Sequence, residues 1–256
     1  MSKLKTSLIV ILLLTATGAA QAEEGKLSVT FDTTYMSKWM TKGAEGYGPK
    51  GAFFETIDVD LWGTGAGIAV GHQSAIGGDF SDKQRFNYKL YYGGSLFEDQ
   101  AYQIKYKLNW TYKNYYSRAR DKGNSQEWVF AFSWPKILDI EGLAPYYIVH
   151  YEHPAGSSYN NYNISGLVHR FGLKYNLDIT ELPNPLCLSG EAAYRDGLGG
   201  PAKDHEWTHA TLGVATKFNI AEKLSFVPGL YYQISMDDSL IRRDVIYTKL
   251  SMKYKF

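Results

Sequence analysis

His205-Glu206-Trp207-Thr208-His209 has the H-E-x-x-H spacing of a zinc peptidase. That spacing works on a helix, where residues four apart share a face and meet one ion. Here the segment runs into Thr208, Ala210, Leu212, Val214, Thr216 and Phe218, which alternate as a strand does. Four residues along a strand span about 13 Å, too far for two imidazoles to share a zinc. Neither a metal nor a cofactor is expected. Ser165 and His169 suggest a second chemistry, a histidine-activated serine acting on envelope lipids. They also lie about 13 Å apart along a strand, whereas activation needs hydrogen-bond reach of about 2.6–3.2 Å. A partner from a neighbouring strand could complete such a site, so a barrel enzyme remains the alternative to a non-enzymatic protein. His72, His150 and His153 are equally unassigned. Gly63-Thr-Gly65-Ala-Gly67 reads as a tight turn, because no helix follows it to form a phosphate loop. Cys187, the sole cysteine, can make no internal disulfide.

The elements that would position these residues share one pattern. Tyr102, Ile104, Tyr106, Leu108, Trp110 and Tyr112 are separated by Gln103, Lys105, Lys107, Asn109 and Thr111. Side chains in a strand point alternately to opposite faces, so this segment has one apolar and one wet face. The pattern predicts strands over 27–37, 53–62, 65–73, 86–95, 101–112, 126–134, 143–151, 164–176, 186–195, 207–218, 224–234 and 244–256. If both ends lie on one side, the longer, Gly-rich polar connections all fall on the other. Outer-membrane barrels have this asymmetry, with short periplasmic turns and longer external loops. The expected fold is therefore an all-β, transmembrane antiparallel barrel of about twelve strands, with ten or fourteen as the neighbouring counts. Tyr35, Trp62, Tyr102, Tyr112, Trp128 and Trp134 fall near strand ends, where interfacial aromatic girdles sit.

Composition agrees and narrows the classes. Beyond the first twenty residues no apolar run approaches the ~20 residues of a membrane helix, which excludes a helical membrane protein. A formal charge of +1 with mixed signs argues against nucleic acid as a partner. Met1–Ala22 has Lys3 and Lys5, an apolar run from Leu8 to Leu14 and a small-x-small end at Ala20-Gln21-Ala22. That is the layout of a secretory signal peptide. Cleavage after Ala22 would leave residues 23–256 as the barrel.

The final strand, Tyr247-Thr-Lys-Leu-Ser-Met-Lys-Tyr-Lys-Phe256, resembles the carboxy-terminal signal of Gram-negative outer-membrane proteins. The resemblance implies delivery to the barrel-assembly machinery, and a bacterial outer membrane whose lipid and lipopolysaccharide would surround the chain. Tyr35-Met-Ser-Lys-Trp-Met-Thr-Lys-Gly43 and Ile57-Asp-Val-Asp-Leu-Trp-Gly63 resemble porins of the TorF type, with Lys42-Gly43 where Arg-Gly is expected. That resemblance implies a small channel of undefined substrate.

With the apolar faces toward lipid, the polar faces line a lumen. The expected pore-lining charges include Lys89, Lys105, Lys107, Arg170, Lys174, Arg195 and Lys249, against Asp58, Asp60, Glu127 and Glu191. A cationic lining favours anions, so the chain is read as a porin for small solutes with a preference for anions. Tyr91, Tyr146, Tyr231 and Tyr247 point the same way and would narrow the passage. The loops, too short for a large plug, leave room for one to fold inward. A third reading is a structural or adhesive barrel acting through external loops such as Lys113–Ser125, with its Tyr115-Tyr116-Ser-Arg118-Ala-Arg120 cluster.

Overall fold

A computed structural model describes residues 27–78, 80–117, 123–156, 165–198 and 205–256. The signal peptide expected at 1–22, together with Arg118 and Arg120 of the tyrosine-rich loop, lies outside the described residues. The strands are β1 (Ser28–Met36), β2 (Met40–Thr41), β3 (Ala44–Pro49), β4 (Ala52–Asp60), β5 (Ala66–Ala75), β6 (Arg85–Leu96), β7 (Ile104–Asn114) and β8 (Ser125–Ser133). They continue as β9 (Leu143–Pro154), β10 (Gly166–Leu177), β11 (Leu186–Asp196), β12 (Glu206–Thr216), β13 (Phe218–Ala221), β14 (Leu224–Ser235) and β15 (Val245–Lys255). Twelve of them close into an antiparallel barrel, each hydrogen-bonded to its neighbours in sequence. β12 pairs with β14, and β15 returns to β1 over Thr30↔Lys255 to Met36↔Lys249. β13 continues β12 past Lys217 and keeps its register against β14 through Asn219, after which the register shifts before Ala221. β2 and β3 form a separate small hairpin inside the connection from β1 to β4.

Leu27 and Phe256 share one rim with connections 61–65, 97–103, 134–142, 178–185 and 217–223. The opposite rim carries 37–51, 76–84, 115–124, 155–165, 197–205 and 236–244. The longest connection, 37–51, is at that opposite rim, although 134–142 matches 76–84 in length.

The alternation turns the usual distribution of side chains inside out. Leu90, Phe171, Leu212, Leu230, Ile246 and Leu250 stand exposed on the outer wall. The buried apolar cluster inside is small: Val168, Ala193 and Leu198. An apolar belt of this extent would drive association in water and is at rest in hydrocarbon. Aromatic pairs edge it. Tyr92 and Tyr106, and Tyr254 and Phe256, lie toward the rim of the termini, with Tyr35 and Phe53, and Tyr88 and Tyr112, toward the other.

Two local devices shape the inner wall. A bulge between Ala193 and Tyr194 on one strand and His209 and Trp207 on the other breaks the alternation of β12. Trp207 consequently packs outside against Tyr194 and Phe171, whereas His209 faces the lumen. The second device is the seating of lumenal tyrosines on glycine. A Cβ on Gly172 would overlap the Tyr146 ring and stand 2.7 Å from the Gly190 carbonyl. A Cβ on Gly213 would stand 2.6 Å from Tyr231 Cδ1. The absent side chains let these rings lie against the wall.

Gly172→Val should therefore displace Tyr146 and lower stability by about 1–3 kcal/mol, the usual range for overpacking. The temperature at which the folded band is lost on a semi-native gel should fall, and Gly172→Val/Tyr146→Ala should recover part of the loss. An unchanged transition in the single variant would contradict the seating.

Candidate functional site

The mouth of the barrel at the rim opposite the termini is crossed by the hairpin β2–β3. Its turn is Lys42-Gly43, with φ of 50° and 89°, the two positive values that a tight two-residue hairpin requires. The base of the hairpin is fixed by aromatic packing. Trp39 and Tyr47 lie 4.6 Å apart between ring centres, Trp39 meets Phe54 edge-on, and the Arg85 guanidinium lies 5.4 Å from the Trp39 ring. Tyr47 is fully buried; its hydroxyl accepts from Gln73 Nε2 at 3.1 Å and donates to the Lys83 carbonyl at 3.2 Å. Burial pushes the Tyr47 phenol up, which keeps it a donor. Gly46 has no side chain because a Cβ there would overlap the Trp39 ring.

The tip of the hairpin reaches the far wall. Gln233 Nε2 donates to the Gly43 carbonyl at 3.0 Å, and Arg195 Nη2 donates to the Lys42 carbonyl at 3.3 Å. The Lys42 ammonium meets Glu127 Oε1 at 2.9 Å and also pairs with Glu152. Lys113 pairs with the same carboxylates at 3.1 and 2.8 Å. Ser125 donates to Glu152 at 2.9 Å. Beyond this square, His150 Nδ1 stands 3.3 Å from Glu127, and its Nε2 stands 3.5 Å from Arg170 Nη1. Arg170 pairs with Glu191 at 2.6 Å, and Tyr146 donates to Glu191 at 2.8 Å. One connected polar network thus runs from the hairpin tip across β7 to β11. Burial works to lower the Lys42 pKa, but Glu127 and Glu152 outweigh it and hold the ammonium above the usual lysine range.

Behind the hairpin lies a cavity of about 880 Å³, lined from strands all round the barrel. Of the charges expected in the pore, Lys89, Arg170, Lys174, Lys249, Glu127 and Glu191 line it. Lys105 and Lys107 share the inward parity of β7 but lie toward the rim of the termini, with the Lys107 ammonium 4.1 Å from the Tyr91 ring centre. Arg195 is buried at the hairpin tip. Asp58 accepts from Tyr91 at 2.8 Å, and Asp60 caps the turn at Gly63. Tyr146, Tyr231 and Tyr247 border the cavity.

Sequence reasoning missed Lys42, Arg85, Lys113 and Glu152 for a simple reason. The expected strands start at 86 and stop at 112 and 151, which leaves three of these residues in loops; β6, β7 and β9 run on to include them. Lys42 belongs to a connection, where no alternation places it. The zinc-like motif comes apart: His205 is exposed at φ 66° and 3.3 Å from Asp196, while His209 is buried in the lumen. Among the described residues no cluster of three metal-ligating side chains occurs. His169 lies on the outer wall against Tyr147, whose hydroxyl is 2.6 Å from its Nδ1.

No family model matches the sequence, and no curated protein matches it. The fold does match solved structures. The KdgM porin, solved in complex with disordered oligogalacturonate, superposes with a TM-score of 0.52 at 9% identity, covering 90% of this chain and 99% of the porin. An outer-membrane channel from Pseudomonas putida F1 gives 0.52 at 9% identity, covering 93% and 98%. The chain has the fold of an outer-membrane β-barrel.

Removing one partner from a buried ion pair leaves the other charge uncompensated, at about 3–5 kcal/mol. Lys42→Ala should undock the hairpin, which single-channel recording would read as larger conductance and limited proteolysis as new cleavage within 37–51. Because its pKa is raised, Lys42 stays charged up to the ordinary lysine value of 10.5 and loses its hold on the carboxylates as pH rises through its own higher value. Wild-type conductance attributable to the latch should therefore stay level around neutral pH and rise in strong alkali. Equal conductance and cleavage in Lys42→Ala and wild type would exclude a latch.

Proposed function

We propose that the protein is an outer-membrane channel for small solutes that favours anions, with the hairpin at 37–51 as its constriction. One observation carries the preference. Glu127, Glu152 and Glu191 are each held in ion pairs, whereas Lys89, Lys174 and Lys249 line the cavity with no carboxylate within 4.0 Å among the described residues. The lining therefore presents net positive charge to a passing solute, and such linings favour anions. The oligogalacturonate held by the KdgM porin is itself a carboxylate-bearing solute. The fold likeness to porins and channels supports the location and the passive mechanism. The signal-like start at Met1–Ala22 and the terminal strand ending at Phe256 fit export, recognition by the barrel-assembly machinery and a lipopolysaccharide surround.

The test is conductance of the refolded chain in a planar bilayer under a KCl gradient. Discrete steps with a reversal potential on the anion side are expected. Converting Lys89, Lys174 and Lys249 together to Glu should carry the reversal potential to the cation side. Reversing Lys105 and Lys107 should move it less, since they lie outside the cavity. A folded protein that is silent even as Lys42→Ala would overturn the channel and favour a barrel that works through its loops.

A further inference from the structure

We infer that the lumen holds a binding subsite for a carboxylate carried on a ring, of sugar or aromatic type, formed by Lys174 and Lys249 with Tyr231 and Tyr247. The inference rests on the channel reading and gives it a substrate class.

Position separates these lysines from the latch. Gln233, which holds the hairpin tip, pairs in register with Val245 at the start of β15. Lys249 lies four residues further along the same face, about 13 Å along the strand from the mouth side. On β10, Lys174 lies four residues beyond Arg170, which pairs with Glu191, and is further along its strand by about the same distance. The network's carboxylates are thus occupied one step above the two ammoniums.

Small residues flank both lysines. Lys249 faces Gly229 across the β14–β15 ladder, with Met36 beside it on β1, and Lys174 faces Ser189 and Ala144 on its two neighbours. Beside Lys249, one inward position nearer the mouth, Tyr247 is in register with Tyr231. Their rings are 5.2 Å apart and within 14° of parallel. Tyr231 is seated between glycines, for a Cβ on Gly213 would stand 2.6 Å and one on Gly229 2.8 Å from its ring. The Lys174 ammonium lies 5.1 Å from the Tyr146 ring centre. Lys174, Lys249, Tyr146, Tyr231 and Tyr247 all border the same cavity. Ammonium groups supply the attraction for a carboxylate, and fixed phenol rings supply flat apolar surface for a ring to lie on, the pairing by which concave sites select amphipathic solutes.

Cys187 reports on the site without belonging to its chemistry. It is the only cysteine, borders the same cavity and pairs in register with Asn176, two residues from Lys174. The experiment follows its modification by an anionic methanethiosulfonate in the folded, detergent-solubilised chain, with glucuronate, glucose or acetate present. Glucuronate should protect at concentrations about tenfold below acetate, and glucose should not protect. Lys174→Gln/Lys249→Gln should lose the protection by glucuronate while Cys187 stays reactive. Tyr231→Leu/Tyr247→Leu should reduce glucuronate to the level of acetate. Acetate matching glucuronate, glucose protecting, or protection surviving the lysine variants would each overturn the subsite. Isothermal titration with the same three solutes applies the same criteria if the thiol is unreactive. Conductance without protection rejects the subsite and keeps the channel, whereas protection in a folded but silent barrel keeps the subsite and rejects the channel.

Discussion

In hydrocarbon no water is available to an unpaired backbone amide or carbonyl, and each one left unpaired costs several kcal/mol. A sheet can meet that condition only by having no edge. The ladder between β1 and β15 joins the first and last strands of the barrel and removes the two edges that twelve consecutively paired strands would leave. The remaining architecture depends on that closure. A closed sheet has an inside, and alternation then sends every second side chain into it. With the outer positions committed to Leu90, Phe171 or Ile246, charged and hydroxylated residues have only the lumen to occupy.

A lumen of twelve strands is too wide for a few side chains to fill, and too narrow for its charges to ignore one another. Two solutions coexist along its length. At the mouth, a segment of the chain itself enters and neutralises Glu127 and Glu152 with an ammonium brought from outside the wall. Deeper in, Lys174 and Lys249 have no carboxylate within 4.0 Å among the described residues, and tyrosines seated on glycine set the bore. The first solution closes and orders. The second leaves room and charge for something that is not protein.

How far the sequence discloses this follows from the range of the interactions. Strand identity is local: a period of two over ten residues is set by which side of the sheet meets lipid, and all twelve strands were legible on that basis. The inward set on β6, β10 and β15, with Lys89, Arg170, Lys174 and Lys249, came directly from parity. The latch did not. Lys42 is a loop residue by every local signal, and its carboxylates lie 85 and 110 positions later in the chain. Lys113 and Glu152 were lost for a related reason, since tertiary contacts extend β7 and β9 past the point where their own alternation fades. The bulge beside Thr208 shows the same limit, because an extra residue reverses parity and carries no hydropathic mark.

The φ of 50° at Lys42 has a consequence of its own. A left-handed conformation burdens a residue with a Cβ by roughly 1–2 kcal/mol, and asparagine or glycine would relieve much of it in this turn. The hairpin is therefore built as a cocked spring, with its tip held in an unfavourable local conformation by its contacts with the far wall, the seated ammonium among them. Docking at the far wall and the shape of the turn then form a single cooperative event, so the mouth of this barrel should pass between two discrete states instead of widening by degrees.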